Sequence, residues 1–85
     1  METYTGDWDG DLRHGIGILK KANRDVYVGC YVRGTREGPG TLLYSDGSAY
    51  CGLWSADKKE GEGELVDRDG NVYVGGFVND AMHGD

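Results

Sequence analysis

With 85 residues, 38% of them hydrophobic, and 16 glycines, the chain has thin material for a compact two-layer core and suits a stack of small units that bury themselves against their neighbours. The net charge of −6 disfavours nonspecific binding to nucleic acid or anionic membranes, so no nucleic-acid partner is expected. No run of about 18 apolar residues offers a membrane span, and no basic segment followed by an apolar one signals secretion, which makes a cytoplasmic setting the expectation.

Taken in chain order, the first element opens at Tyr4 with the phrase Tyr-x-Gly-x-aromatic, completed by Gly6 and Trp8. The phrase returns as Tyr27, Gly29 and Tyr31, as Tyr50, Gly52 and Trp54, and as Tyr73, Gly75 and Phe77, always 23 residues on. Alternation with period two puts both aromatics and the glycine on one face of a strand. A second phrase, Gly-x-Gly, follows each time as Gly15 and Gly17, Gly38 and Gly40, and Gly61 and Gly63, with Gly84 beginning a further copy. Leu19, Leu42 and Leu65 come two residues later and belong to a second short strand. Polar pairs lie between the strands: Gly10-Asp11, Arg33-Gly34, Ala56-Asp57 and Asn79-Asp80 at the first turn, then Asn23-Arg24, Asp46-Gly47 and Asp69-Gly70 at the second. Each unit is therefore strand, turn, strand, turn. The spacing predicts units at 4–26, 27–49 and 50–72 and a partial one at 73–85, forming an all-β, single-layer, twisted antiparallel meander. The glycine between two aromatics is expected to leave a slot for a ring from a neighbouring strand, and the paired glycines to ease coiling of the sheet into a groove.

Held in phase over three full units and a partial one, these phrases resemble the MORN (membrane occupation and recognition nexus) repeat family from Tyr4 to Asp85. The departures are local: the family's Asn-Gly at the first turn is replaced by the pairs above, and Arg24 stands where a turn glycine is usual. The resemblance implies arrays that clasp a helix or extended peptide in their groove and join cytoskeletal, motor or membrane-contact assemblies. It also raises phospholipid as a ligand. Catalytic domains occur attached to such arrays in the wider family, but none lies within these residues, and no enzyme activity is expected.

Other chemistry is weakly supported. Equivalent strands of neighbouring hairpins lie roughly 9.6 Å apart, beyond the ~7 Å reach of a disulfide, so Cys30 and Cys51 read as reduced thiols at apolar sheet positions. His14 and His83 share a repeat position but sit roughly 29 Å apart along the stack, too far to hold one metal. Asp67, Asp69 and Asn71 resemble a calcium loop only until Val72 and Val78 occupy the places of its glycine and bidentate glutamate. No Gly-Lys-Ser/Thr follows any glycine pair, and Glu60, Glu62 and Glu64 form a solvated charged stripe with no apolar pocket to raise a pKa. No cofactor or metal is expected. Grouped by repeat position, Arg13, Arg33, Arg36, Lys58 and Lys59 face Asp11, Glu37, Asp57, Glu60 and Asp80 along the first-turn edge, which is not the basic stripe a lipid headgroup calls for.

The feature left to carry function is the aromatic ladder of Tyr4, Trp8, Tyr27, Tyr31, Tyr50, Trp54, Tyr73 and Phe77. Most of its area is expected to hold the repeats together, and rings left open on the groove floor are expected to anchor a partner. The other strand face is apolar as well in the later units, with Val26, Val28, Cys30 and Val32, then Ala49, Cys51 and Leu53, then Val72, Val74 and Val78, while Thr3, Thr5 and Asp7 interrupt it in the first. Two apolar faces and open sheet ends suggest a segment of a longer array and make homo-oligomerisation an alternative to a scaffold function, with phospholipid binding third.

Overall fold

The computed structural model describes residues 2–82. Eight strands follow one another as neighbours in a single antiparallel sheet: β1 (Thr3–Asp9), β2 (Leu12–Lys20), β3 (Val26–Val32), β4 (Thr35–Leu43), β5 (Ala49–Ser55), β6 (Lys58–Val66), β7 (Val72–Val78) and the two-residue β8 (Ala81–Met82). The expected hairpin meander is what forms, measuring 41 × 23 × 15 Å. His83 and the further glycine phrase begun at Gly84 lie outside the described residues.

Register explains the tyrosine-glycine phrase. The glycines pair with one another across each of the first six strand boundaries, Gly6 with Gly17, Gly17 with Gly29, Gly29 with Gly40, Gly40 with Gly52, Gly52 with Gly63 and Gly63 with Gly75. This is a continuous side-chain-free furrow across the sheet. Tyr27 lays its ring into it: a Cβ on Gly40 would stand 2.7 Å from ring atoms, and one on Gly29 would stand 2.6 Å from the hydroxyl and 2.5 Å from the Gly40 Cα. The slot at Gly29, between the two aromatics, is thus filled by the tyrosine two residues earlier on its own strand rather than by a neighbouring strand's ring, while the same ring lies over Gly40 of the next strand. The reason is local, because the hydroxyl reaches the backbone three residues on: Tyr27 donates to the Cys30 carbonyl at 3.0 Å and Tyr50 to the Leu53 carbonyl at 2.8 Å.

The two glycines of Gly-x-Gly do different work. Gly40 accommodates the ring, whereas Gly38 has φ +84° and sits in a bulge, where pairing jumps from Gly29 with Gly40 to Tyr31 with Arg36. The same jump recurs at the other two complete hairpins, between Gly6 and Trp8 and between Gly52 and Trp54. It draws the residue two places before the bulge glycine inward, opposite the second aromatic. Three of the first turns tolerate their departures from Asn-Gly by adopting its backbone: Arg33 and Gly34 (φ 48° and 92°), Ala56 and Asp57 (50° and 69°) and Asn79 and Asp80 (50° and 72°) are left-handed at both positions, whereas at Gly10-Asp11 only Gly10 is (64°).

All buried large side chains lie on one face: Leu19, Tyr27, Tyr31, Leu42, Tyr50, Trp54 and Phe77. The opposite face keeps its apolar side chains in solvent, Ile16 at 66% and Val74 at 69% exposure among them. One sheet has one core here, and it is the ring face.

Candidate functional site

Eight rings form one unbroken zigzag. Within a strand the second aromatic meets its own tyrosine edge-on, as in Tyr27 and Tyr31 at 5.2 Å and Tyr50 and Trp54 at 5.2 Å. Between units it meets the tyrosine of the preceding hairpin: Tyr31 with Tyr4 at 5.6 Å, Trp54 with Tyr27 at 5.5 Å and Phe77 with Tyr50 at 4.8 Å. Interplanar angles of 77–90° set positive ring edges against negative faces, an arrangement worth about 0.5–1.5 kcal/mol per pair beyond buried area.

This packing decides what the expected partner-binding residues offer. Tyr27 and Tyr50 are wholly buried, and Tyr31, Trp54 and Phe77 nearly so. Tyr4 and Tyr73 are half-buried. Trp8, on the edge strand β1, has only Tyr4 beside it and remains 54% exposed. Burial raises the pKa of the Tyr27, Tyr31 and Tyr50 hydroxyls above the usual tyrosine range, most at Tyr27, because a phenolate there would lose its hydration.

Over the rings lies a row of cations. The Arg13 guanidinium stands 5.3 Å from the Tyr4 centroid, that of Arg36 lies 4.4 Å from Trp54 and 5.7 Å from Tyr27, and the Lys59 ammonium is 5.5 Å from Tyr50 and 5.7 Å from Trp54. By sequence these three belong to the first-turn edge. The bulge moves them inward instead, since Arg36 comes to pair with Tyr31 and Lys59 with Trp54. They recur every 23 residues, but their repeat position assigns them only to the turn edge and does not show that they rise over the rings.

Carboxylates from the next turn complete the row. Asp57 accepts from the Arg36 backbone N–H at 2.8 Å and from its Nε–H at 3.2 Å, while Arg36 Nη2 donates to the Asp57 carbonyl at 2.8 Å. Asp80 likewise accepts from the Lys59 backbone N–H at 2.8 Å. The equivalent residue for Arg13 is Gly34, and among the described residues Arg13 Nε has no hydrogen-bond partner; neither has the buried Tyr31 hydroxyl. One position further, Glu37 and Glu60 accept from the Ala56 and Asn79 backbone N–H groups at 2.8 and 2.9 Å, and His14 fills the same role through Nδ1 for Arg33 at 3.3 Å.

Among the hollows on this face, two lie beside the cations. One, of about 240 Å³, is lined by Arg13, Leu19, Lys21, Tyr31, Gly34 and Arg36, among others. The second, of about 520 Å³, is lined by Tyr44, Ser48, Lys59, Leu65, Asp67 and Arg68, among others. Asp67 is a turn residue, not a calcium ligand in a loop: it accepts from the Asp69 and Asn71 backbone N–H groups at 2.9 Å, and the Asn71 bonds hold its carboxyl below the usual range. Cys30 and Cys51 are free thiols, and Glu62 and Glu64 are exposed. Among the described residues, no group of three or more His, Cys, Asp and Glu side chains is placed to hold a metal ion.

A single-layer sheet of hairpins, each repeating the last at 23-residue intervals around one aromatic seam, defines a β-hairpin repeat protein. The MORN repeat family model matches residues 4–26, 27–49, 50–72 and 73–84, and the chain belongs to that family. Comparison with curated proteins returns no significant match. The MORN repeat is a non-enzymatic module that commonly serves interaction with proteins or membranes.

Proposed function

We propose that this chain is a non-catalytic protein-interaction scaffold, whose ring face receives a helix or peptide of a partner and so links cytoskeletal or membrane-contact assemblies from a cytoplasmic position. The observation that carries this reading is the pair of hollows beside the cation-covered aromatic seam. In the smaller hollow, leucine and tyrosine walls with Arg13, Lys21 and Arg36 against Glu2 and Asp57 suit a segment that is apolar on one side and acidic at its margin, while the larger sets Asp46, Asp67 and Asp69 against Lys59 and Arg68. Because five of the eight rings are buried, contact falls on the cations, the hollow walls and Trp8, and the seam acts as the rigid bed beneath them. Photo-crosslinkers at Lys21 and Arg68, which line the hollows, and at Ile16 and Val74 on the opposite face, test it. Adducts with a recovered partner are expected at the first pair. Adducts at the second pair alone would refute the reading.

A second reading, homo-oligomerisation, is favoured by the opposite face, where Ile16, Val28, Leu53 and Val74 stand between 40% and 69% exposed. Light scattering over a concentration series decides it, and a strictly monomeric species at the top of the series removes it. Phospholipid binding has the least support, given the charge of −6, and pelleting with strongly anionic vesicles at low salt is expected to leave the chain in solution.

A further inference from the structure

We propose that the hollow between Arg13, Tyr31 and Gly34 is a receiving site for one carboxylate, supplied by an Asp or Glu side chain of a partner peptide. The inference rests on the ring-face reading for the source of that carboxylate, but the site itself follows from comparing repeat positions. At the second unit the carboxylate is built in, because Asp57 takes the Nε–H and backbone N–H of Arg36. At the third, Asp80 takes the backbone N–H of Lys59. At the first, residue 34 is a glycine, and the Nε–H that Asp57 satisfies in Arg36 is left unbonded in Arg13.

A second observation points to the same place. The Tyr31 hydroxyl, on a residue only 3% exposed, is also without a partner, and Tyr31 and Arg13 line the same hollow of about 240 Å³. Two buried polar atoms without a partner, on residues that line one hollow, ask for an acceptor. The space is open where the Asp57 side chain begins in the next unit: a Cβ on Gly34 would meet only the Leu12 Cδ2, at 3.5 Å. Charge selects the acceptor. Arg13, Lys21 and Arg36 stand against Glu2 and Asp57 around the hollow, leaving one positive charge, which a single carboxylate neutralises and a phosphate dianion exceeds. Glu2 does not already fill the role, since it reaches only the Arg13 Nη2, at 3.3 Å, from an exposed position.

The test follows the Arg13 Nε–H signal by nuclear magnetic resonance in the whole chain, assigned by its loss in Arg13→Lys. Sodium acetate is expected to shift the signal saturably, with sodium chloride at equal ionic strength leaving it in place. In Gly34→Asp, which supplies the carboxylate internally, the signal should start near its acetate-bound position and respond about tenfold more weakly. Tyr31→Phe, which removes only the hydroxyl, should weaken the response while the fold persists. A flat signal in acetate, an undiminished response in Gly34→Asp, or an equal response to inorganic phosphate overturns the carboxylate site. A blocked helical peptide with one Glu, set against its Gln twin, tests the source. If acetate binds but neither peptide does, the peptide source falls, and the ring-face reading with it. If the Glu peptide binds the ring face without moving Arg13, the carboxylate site falls and that reading stands.

Discussion

In the second unit Arg36 lies 4.4 Å over a buried Trp54 with its Nε bonded to Asp57, whereas in the first Arg13 lies over a half-exposed Tyr4 with its Nε unbonded. Trp54 is enclosed by tyrosines of two hairpins and donates its indole N–H to the Gly40 carbonyl at 3.2 Å; Trp8 touches one tyrosine. The sequence phrase is the same in both. What differs is how many neighbours each copy has, and whether the next turn supplies an aspartate. In a repeat sheet a residue's energy belongs to the interface between units, so identical phrases hold different stabilities along the stack.

The largest effect that would test this comparison is at tryptophan. Trp54→Ala should cost about 3–5 kcal/mol and in a chain this small unfold much of the population, while Trp8→Ala should cost below about 1 kcal/mol; urea denaturation measures both. Equal costs would break the comparison. It also means that an affinity test built on Trp54→Ala and Phe77→Ala would remove the bed along with any contact.

Next come the furrow glycines. Gly40→Ala drives a methyl into the ring of the wholly buried Tyr27 and should cost about 2–3 kcal/mol. Gly17→Ala pushes against Tyr4, which is only half-buried on the edge strand and loses less packing if displaced, so about 1 kcal/mol is expected from the same chemical change.

Alkaline titration sharpens the contrast in another way. A tyrosine whose folded pKa lies above its unfolded value near 10 contributes stability that is complete below that value and is lost as pH rises through it, because the unfolded chain ionises first. Tyr27, Tyr31 and Tyr50 are such groups. Tyrosinate absorbance should therefore rise together with loss of sheet signal above about pH 10. A smooth titration of all tyrosines without unfolding would contradict it.

The smallest effect concerns the second turns. Arg24 holds φ +78° where the later units use Gly47 and Gly70 at 96° and 91°. Arg24→Gly should raise stability by about 0.5–1 kcal/mol, the relief of a left-handed side chain less the entropy glycine adds to the unfolded state, read as a modest rise in Tm.

Much of this fold was legible in the sequence because a strand's alternation and a turn's composition are local properties. Tyr27, Gly29 and Tyr31 announce a strand and a face by themselves, and a 23-residue period without an indel leaves only sequential hairpins to build. The departures at Arg33-Gly34, Ala56-Asp57 and Asn79-Asp80 did not stop both turn residues from being left-handed, as the twist of paired strands favours in a two-residue loop, whereas at Gly10-Asp11 only the glycine is. The cation row was less legible. Arg13, Arg36 and Lys59 repeat visibly, yet only the bulge at the first glycine of each pair says that they rise over the rings rather than fringe the edge.

Sequence alone thus determined the periodicity, the strand order and which face would carry the rings, because each follows from side-chain alternation and chain connectivity within a few residues. Tertiary structure decided which rings are spent in packing, which cations are paired, and that Arg13 Nε and the Tyr31 hydroxyl are buried without a partner on residues lining the hollow beside Gly34. Those depend on the neighbouring unit's register, and hydrogen-bond satisfaction is settled only when atoms from residues about one repeat apart are brought within reach of one another.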